Sequence, residues 1–159
     1  MDFTDQDRYF MRMALEEASR GFDRDEVPIG AVIVSSDGVL LGKGYNRPIS
    51  SNDPTAHAEI VAIRDACSFV KNYRLTDSVM YVTLEPCLMC YGAMVHARIG
   101  KLVFGAYDKR SGLTSHLELV DKLNMNHKVE IAGGLLADEC GELLSRFFQL
   151  KREMQKKSK

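Results

Sequence analysis

The apolar positions change period several times along the chain, and each change marks an element. Thr4 precedes Asp5, Gln6 and Asp7 in the manner of a capped helix start. Tyr9, Phe10, Met13, Ala14 and Ala18 then recur at helical spacing as far as Gly21, a plausible stop. Residues 29–34 form a short β-branched run, Ser35-Ser36-Asp37-Gly38 has turn chemistry, and residues 39–45 read as the returning strand of a hairpin. Residues 46–52 read as loop. Asp53-Pro54 resembles a helix cap with proline in the first turn, which predicts a helix over 55–69 with Ile60, Ile63 and Cys67 on one face. A strand over 79–84, a helix over 87–97, a strand over 102–106, a short helix over 117–123, a short strand over 129–131 and a final helix from 135 to about 155 complete the pattern.

Helices lying between strands predict an α/β layered domain with a partly parallel sheet. No repeat, linker or low-complexity stretch divides it, so residues 1–159 are expected to form one domain. A hydrophobic content of 45% supplies a core without disulfide staples. No apolar run approaches the length of about 20 residues that spans a bilayer, and no membrane partner is expected. The N-terminus is acidic and polar, unlike a signal peptide. With that N-terminus, Cys67, Cys87, Cys90 and Cys140 point to a reducing, cytoplasmic setting, where close cysteine pairs more often bind metal than form disulfides.

The net charge of -1 alone predicts no polyanion partner, but its distribution is uneven. From Arg146 to Lys159 six Lys or Arg stand against Glu153, and from Asp2 to Glu26 acids outnumber bases eight to four. A basic C-terminal end on a near-neutral protein is a candidate phosphate-binding surface.

The chemistry concentrates at two predicted helix starts. His57-Ala58-Glu59 lies in the first turn of one, and Pro86-Cys87-Leu88-Met89-Cys90 opens another. Each helix follows a strand, so both N-termini are expected at one edge of the sheet, where open α/β sheets place their sites. Cys87 and Cys90 are three residues apart and share a helix face. A helix N-terminus favours the thiolate, which is the metal-binding form. Two sulfurs and the imidazole of His57 suit zinc better than calcium or magnesium. The count decides between kinds of zinc site: structural sites are closed by four protein ligands, whereas catalytic sites keep one position open. Cys67 and Cys140 read as buried thiols, and His96 lies too far along its helix to join. Glu59 is therefore a candidate proton shuttle beside the metal rather than a ligand. His-x-Glu followed by Pro-Cys-x-x-Cys is a known signature of zinc nucleobase deaminases. The motif leaves the base undecided, because cytidine, guanine and adenosine deaminases all carry it.

Further segments separate these relatives. Residues 27–32 (Val-Pro-Ile-Gly-Ala-Val), 46–49 (Asn-Arg-Pro-Ile), 52–60, 81–90, 92–99, 103–106, 125–127 (Met-Asn-His) and 136–140 (Leu-Ala-Asp-Glu-Cys) resemble the bacterial tRNA-specific adenosine deaminases, over nearly the whole chain. The resemblance implies a cytidine-deaminase-like three-layer α/β/α fold with a five-stranded mixed sheet. It also implies one zinc ion per subunit and a homodimer. The substrate it implies is the wobble adenosine of a tRNA anticodon stem-loop, with tRNA-Arg the expected tRNA. By the same resemblance His57, Cys87 and Cys90 hold zinc, Glu59 moves the proton and Asn46 contacts the flipped-out base. Candidate RNA contacts are Asp108, Lys109, Arg110, Asn126, His127, Lys151 and Arg152, the basic ones meeting phosphates. Of the adjacent Phe147 and Phe148, one is expected in the core and the other at the surface. Met89, Met94 and Met125 are expected to fill the core. The chain departs from the family pattern over 111–124, where Ser115-His116-Leu117 stands in place of Gly-Ser-Leu.

Overall fold

The computed structural model describes residues 2–158. Its elements run α1 (Asp5–Asp23), β1 (Gly30–Val34), β2 (Leu40–Tyr45), α2 (Pro48–Ser51), α3 (Ala58–Val70), β3 (Val79–Leu84), α4 (Leu88–Ala97), β4 (Lys101–Ala106), α5 (Leu117–Lys122), β5 (Glu130–Gly133) and α6 (Ala137–Lys157). A 3₁₀ turn over Leu113–His116 leads into α5.

The five strands form one mixed sheet in the order β2-β1-β3-β4-β5. Strand β1 is antiparallel to both neighbours, whereas β3, β4 and β5 are parallel. Strands β2 to β5 consequently all end at the same edge. Every residue of β1 is buried, as a continuous apolar run in a sheet covered on both faces requires.

One face packs Ala58, Ala62 and Ala66 of α3 and Met94 of α4 against Ile33, Met80, Val82 and Phe104. The opposite face packs Phe10, Met11 and Ala14 of α1 and Cys140 of α6 against Val32, Tyr81 and Val103. The three-layer α/β/α expectation therefore holds. The alanine stripe of α3 has a counterpart in β2. A Cβ on Gly42 would lie 2.4 Å from the Ala66 nitrogen, and one on Gly44 would lie 2.6 Å from a Val61 methyl. The helix rides directly on strand backbone, and larger residues at either position would lift it off.

Thr4 caps α1 as predicted: the Asp7 N–H donates to Thr4 Oγ1 at 3.0 Å and the Thr4 N–H donates to Asp7 Oδ2 at 2.9 Å. The buried stripe of that helix is Phe10, Met11, Ala14, Ala18 and Gly21, while Tyr9 faces solvent. The predicted start of the next long helix needs correction. Asp53 accepts from the N–H and hydroxyl of Thr55 at 2.9 and 2.7 Å, forming a local turn, and α3 begins only at Ala58 with His57 as its N-cap. The expected loop over 46–52 contains the short α2. Phe147 is buried and Phe148 exposed, as expected of the pair. Of the three methionines Met94 is buried, whereas Met89 and Met125 are exposed. Among the described residues no helix is long and apolar enough to cross a membrane.

Candidate active site

His57 and Cys87 occupy equivalent positions, the extended N-cap residues of α3 and α4. Neither side chain caps its own helix, so both are free to turn toward a common point. Cys90 lies one turn into α4 and is fully buried. The ligand atoms of His57, Cys87 and Cys90 all lie within 4.8 Å of one another. Cys87 Sγ is 3.7 Å and Cys90 Sγ 3.5 Å from His57 Nδ1. Tetrahedral bonding with Zn–S of about 2.3 Å and Zn–N of about 2.0–2.1 Å places sulfur and nitrogen roughly 3.6 Å apart. The donor set and its spacing therefore fit zinc. Cys67, His96 and Cys140 stand outside this group, and Cys140 is buried against α1 and the sheet. Three protein ligands leave the fourth position open, the mark of a catalytic site.

The electrostatics follow from this proximity. The Cys90 side chain, with His57 also contributing, brings the Cys87 thiol down to about 4 against the opposing effect of burial. Cys90 moves up, because it bonds to the Cys87 sulfur and is itself buried. The Cys87 contact raises His57 despite partial burial. Glu59 is 4% exposed. Burial pushes its carboxyl above the usual range, against its own N–H, the Cys90 side chain and His57. A buried carboxyl beside the three ligands is placed to carry a proton in both directions.

His57, Glu59 and Cys87 floor a cavity of about 250 Å³ lined by Val27, Ile29, Asn46, Leu84, Asp108 and Ser111 among others. That is at the small end of ligand pockets, a space for one base rather than a stretch of chain. Its walls come from the ends of β2, β3 and β4, the shared edge expected from the order of elements. Asn46 is buried in the wall, its N–H donating to the Ile29 carbonyl at 3.0 Å.

The expected RNA contacts divide. Lys109, Arg110, Asn126 and Arg152 are exposed. Asp108 is engaged by its own loop: its Oδ1 accepts from the N–H of Arg110 at 3.0 Å, and its Oδ2 accepts from the Ser111 hydroxyl at 3.0 Å. His127 Nε2 lies 2.7 Å from the Ile99 carbonyl oxygen, which anchors the segment before β5. Lys151 pairs with Asp25 and lies over the Phe147 ring. The structure does not bring the basic residues of α6 into the lining of the cavity.

Two further buried carboxylates, for which the sequence gives no site signal, hold segments around the cavity. Glu26 accepts from the N–H groups of Ile49 and Ser50 at 3.2 and 2.8 Å and from the Ser50 hydroxyl at 2.7 Å, which holds the start of α2 beside Asn46. Glu85 lines the cavity and binds two backbone N–H groups of the loop after β4. Both partners are remote in sequence, and the one local signal is an acid beside an apolar run.

Comparison with known proteins agrees with this geometry. Residues 4–106 match the model of the cytidine and deoxycytidylate deaminase zinc-binding region. The chain is 48% identical over 151 residues to the tRNA-specific adenosine deaminase of Haemophilus influenzae, covering 94% of this chain and 87% of that one. It is 41% identical over 155 residues to the tRNA-specific adenosine deaminase of Bacillus subtilis, covering 97% and 94%. A solved structure from studies of A-to-I editing by tRNA:A34 deaminases at the wobble position of transfer RNA superposes with a TM-score of 0.80 at 42% identity, covering 85% of this chain and 98% of that one. The guanine deaminase of Nitrosomonas europaea, at 22% identity and a TM-score of 0.77 over 88% of this chain and 83% of that one, shares the fold. The chain belongs to the cytidine and deoxycytidylate deaminase superfamily and, within it, to the family of the tRNA-specific adenosine deaminases.

Proposed function

We propose that this chain hydrolyses the wobble adenosine of a tRNA anticodon to inosine, with release of ammonia. The observation that carries the reading is Glu59, a buried carboxyl that is not one of the three ligands yet shares their cavity. A closed structural zinc site would have no use for it.

His57, Cys87 and Cys90 would hold the metal. When bound, zinc supplies the Lewis acidity that makes water nucleophilic near neutral pH. Glu59 takes the proton of the attacking water and delivers it to the ring nitrogen beside the attacked carbon, as the C–O bond forms. It then takes the proton of the added hydroxyl and gives it to the exocyclic nitrogen, so that the C–N bond breaks, ammonia leaves and the carbonyl of inosine forms. Asn46, held in the wall by its backbone bond to Ile29, orients the base. Anticodon bases are already partly unpaired, so extruding one costs little.

Lys109, Arg110, Asn126 and Arg152 are free at the surface to meet RNA. Asp108, His127 and Lys151 contribute through the segments they anchor as well as any direct contact. The resemblance supports tRNA-Arg as substrate, a cytoplasmic setting and a homodimer. The dimer has further support in the exposed Leu88 and Met89 at the start of α4 and Leu119 and Leu123 around α5. Treatment of purified tRNAs with the zinc-loaded protein, followed by nucleoside analysis, is expected to yield inosine at the first anticodon position. Inosine absent from every tRNA would refute the proposal.

A further inference from the structure

The segment that starts the zinc helix is sewn to the end of β4 and the loop that follows it by four hydrogen bonds. Two are backbone bonds that flank the first cysteine's strand end: the Glu85 N–H donates to the Ala106 carbonyl at 2.8 Å, and the Leu113 N–H donates to the Pro86 carbonyl at 2.9 Å. The other two come from one side chain. Glu85 Oε1 accepts from the Asp108 N–H at 3.0 Å, and Oε2 accepts from the Thr114 N–H. Glu85 is 3% exposed. An ionised carboxylate is costly to bury unless its oxygens are bonded, and here each oxygen holds one end of the same loop. The loop is shaped around that carboxylate. A Cβ on Gly112 would lie 2.3 Å from Glu85 Oε1 and 2.4 Å from the Asp108 carbonyl, so no side chain fits between them.

The loop carries Lys109 and Arg110 outward and Asp108 and Ser111 inward to the cavity. Glu85 is two residues from Cys87. One buried side chain thus joins the RNA-facing rim to the metal-bearing floor.

We infer that Glu85 is a positioning residue for the RNA substrate, presetting the 108–114 loop in the shape that receives the anticodon. With both oxygens bonded to backbone, it stands apart from the proton path that Glu59 serves. This inference rests on the proposed function for its substrate.

The test compares Glu85→Gln with wild type, using zinc-loaded protein and an anticodon stem-loop. The amide nitrogen would face one of the two N–H groups, breaking one bond with almost no change in volume. The expected result is a KM raised about tenfold or more with kcat within about threefold, the signature of lost binding rather than lost chemistry. Bound zinc is expected to remain one per chain, and hydrogen exchange at Asp108 and Thr114 to accelerate. Gly112→Ala leaves the carboxylate in place but displaces the loop from it, and is expected to reproduce the same KM effect. The double variant is expected to be no worse than the more affected single one. A fall in kcat at unchanged KM, or wild-type KM in both variants, would overturn the inference. Exchange at Asp108 and Thr114 in the free protein needs no RNA, so unaltered protection would overturn it even if wild type proved inactive on the stem-loop.

Discussion

At the floor of the cavity, His57 and Cys87 are fixed as the N-caps of two helices, and Cys90 and Glu59 are buried behind them. At the rim, Lys109 and Arg110 project from the loop after β4, while Asp108 beside them accepts from Arg110 and Ser111. The floor is overdetermined. Moving His57 means moving α3, which is packed on strand backbone at Gly42 and Gly44. The rim loop is held by a handful of hydrogen bonds, to Glu85, to Asp108 and to the Pro86 carbonyl. This contrast separates what is costly to alter, the reaction, from what is easily altered, the RNA that is accepted.

The sharpest way to break the contrast is at the floor. Cys90→Ala removes a buried ligand and is expected to lose both bound zinc, measured by metal analysis, and all deamination above background. Glu59→Ala is expected to retain its zinc yet lose about 10²–10⁴ in rate, the typical worth of a positioned acid-base group. Near-normal turnover in Glu59→Ala would remove the proton shuttle from the mechanism.

Rim substitutions should be milder and should respond to salt. Replacing Lys109 and Arg110 by Ala is expected to weaken stem-loop binding and flatten its salt dependence by roughly 0.7 in slope per lost phosphate contact. Lys151→Ala is expected to do less, because Asp25 already pairs with that ammonium. Equal slopes in all three proteins, measured by titration at several salt concentrations, would place the phosphate contacts elsewhere.

The smallest effect lies far from both regions. The Tyr81 hydroxyl donates to Asp7 Oδ1 at 2.7 Å and ties β3 to the start of α1. Burial raises the Asp7 carboxyl, but the Thr4 N–H and the Tyr81 and Thr4 hydroxyls outweigh it and hold the group below its ordinary value. A depressed carboxyl stabilises the fold above the unfolded value and loses that contribution as pH falls through the folded one. Tyr81→Phe is expected to cost about 1 kcal/mol at neutral pH, with activity unchanged. The difference should shrink in acid, as urea unfolding of both proteins would reveal.

The same contrast explains what the sequence made legible. The metal site rests on local spacing: two cysteines three positions apart and a histidine two positions before a glutamate, each pair at a helix start. Order of elements alone then placed both starts at one sheet edge. The helix starts at Ala58, a few residues later than the spacing predicts, because Asp53 uses its carboxylate on Thr55 rather than on a helix. Glu26 and Glu85 stayed hidden for a different reason. Their partners lie 23 to 29 residues away, and no periodicity records a side chain bonded to distant backbone. Likewise, composition counts Lys151 as a free cation, and only the folded chain sets Asp25 beside it.

The central claim is that an open three-ligand zinc site with Glu59 acts on adenosine within an anticodon loop. The most direct measurement gives the zinc-loaded protein an anticodon stem-loop with adenosine at the wobble position, alongside free adenosine, cytidine and guanine, and follows ammonia release. Fast inosine formation in the stem-loop with negligible turnover of the free compounds, weakening as salt rises, is the predicted result. Preferential, salt-insensitive deamination of a free base or nucleoside would contradict it.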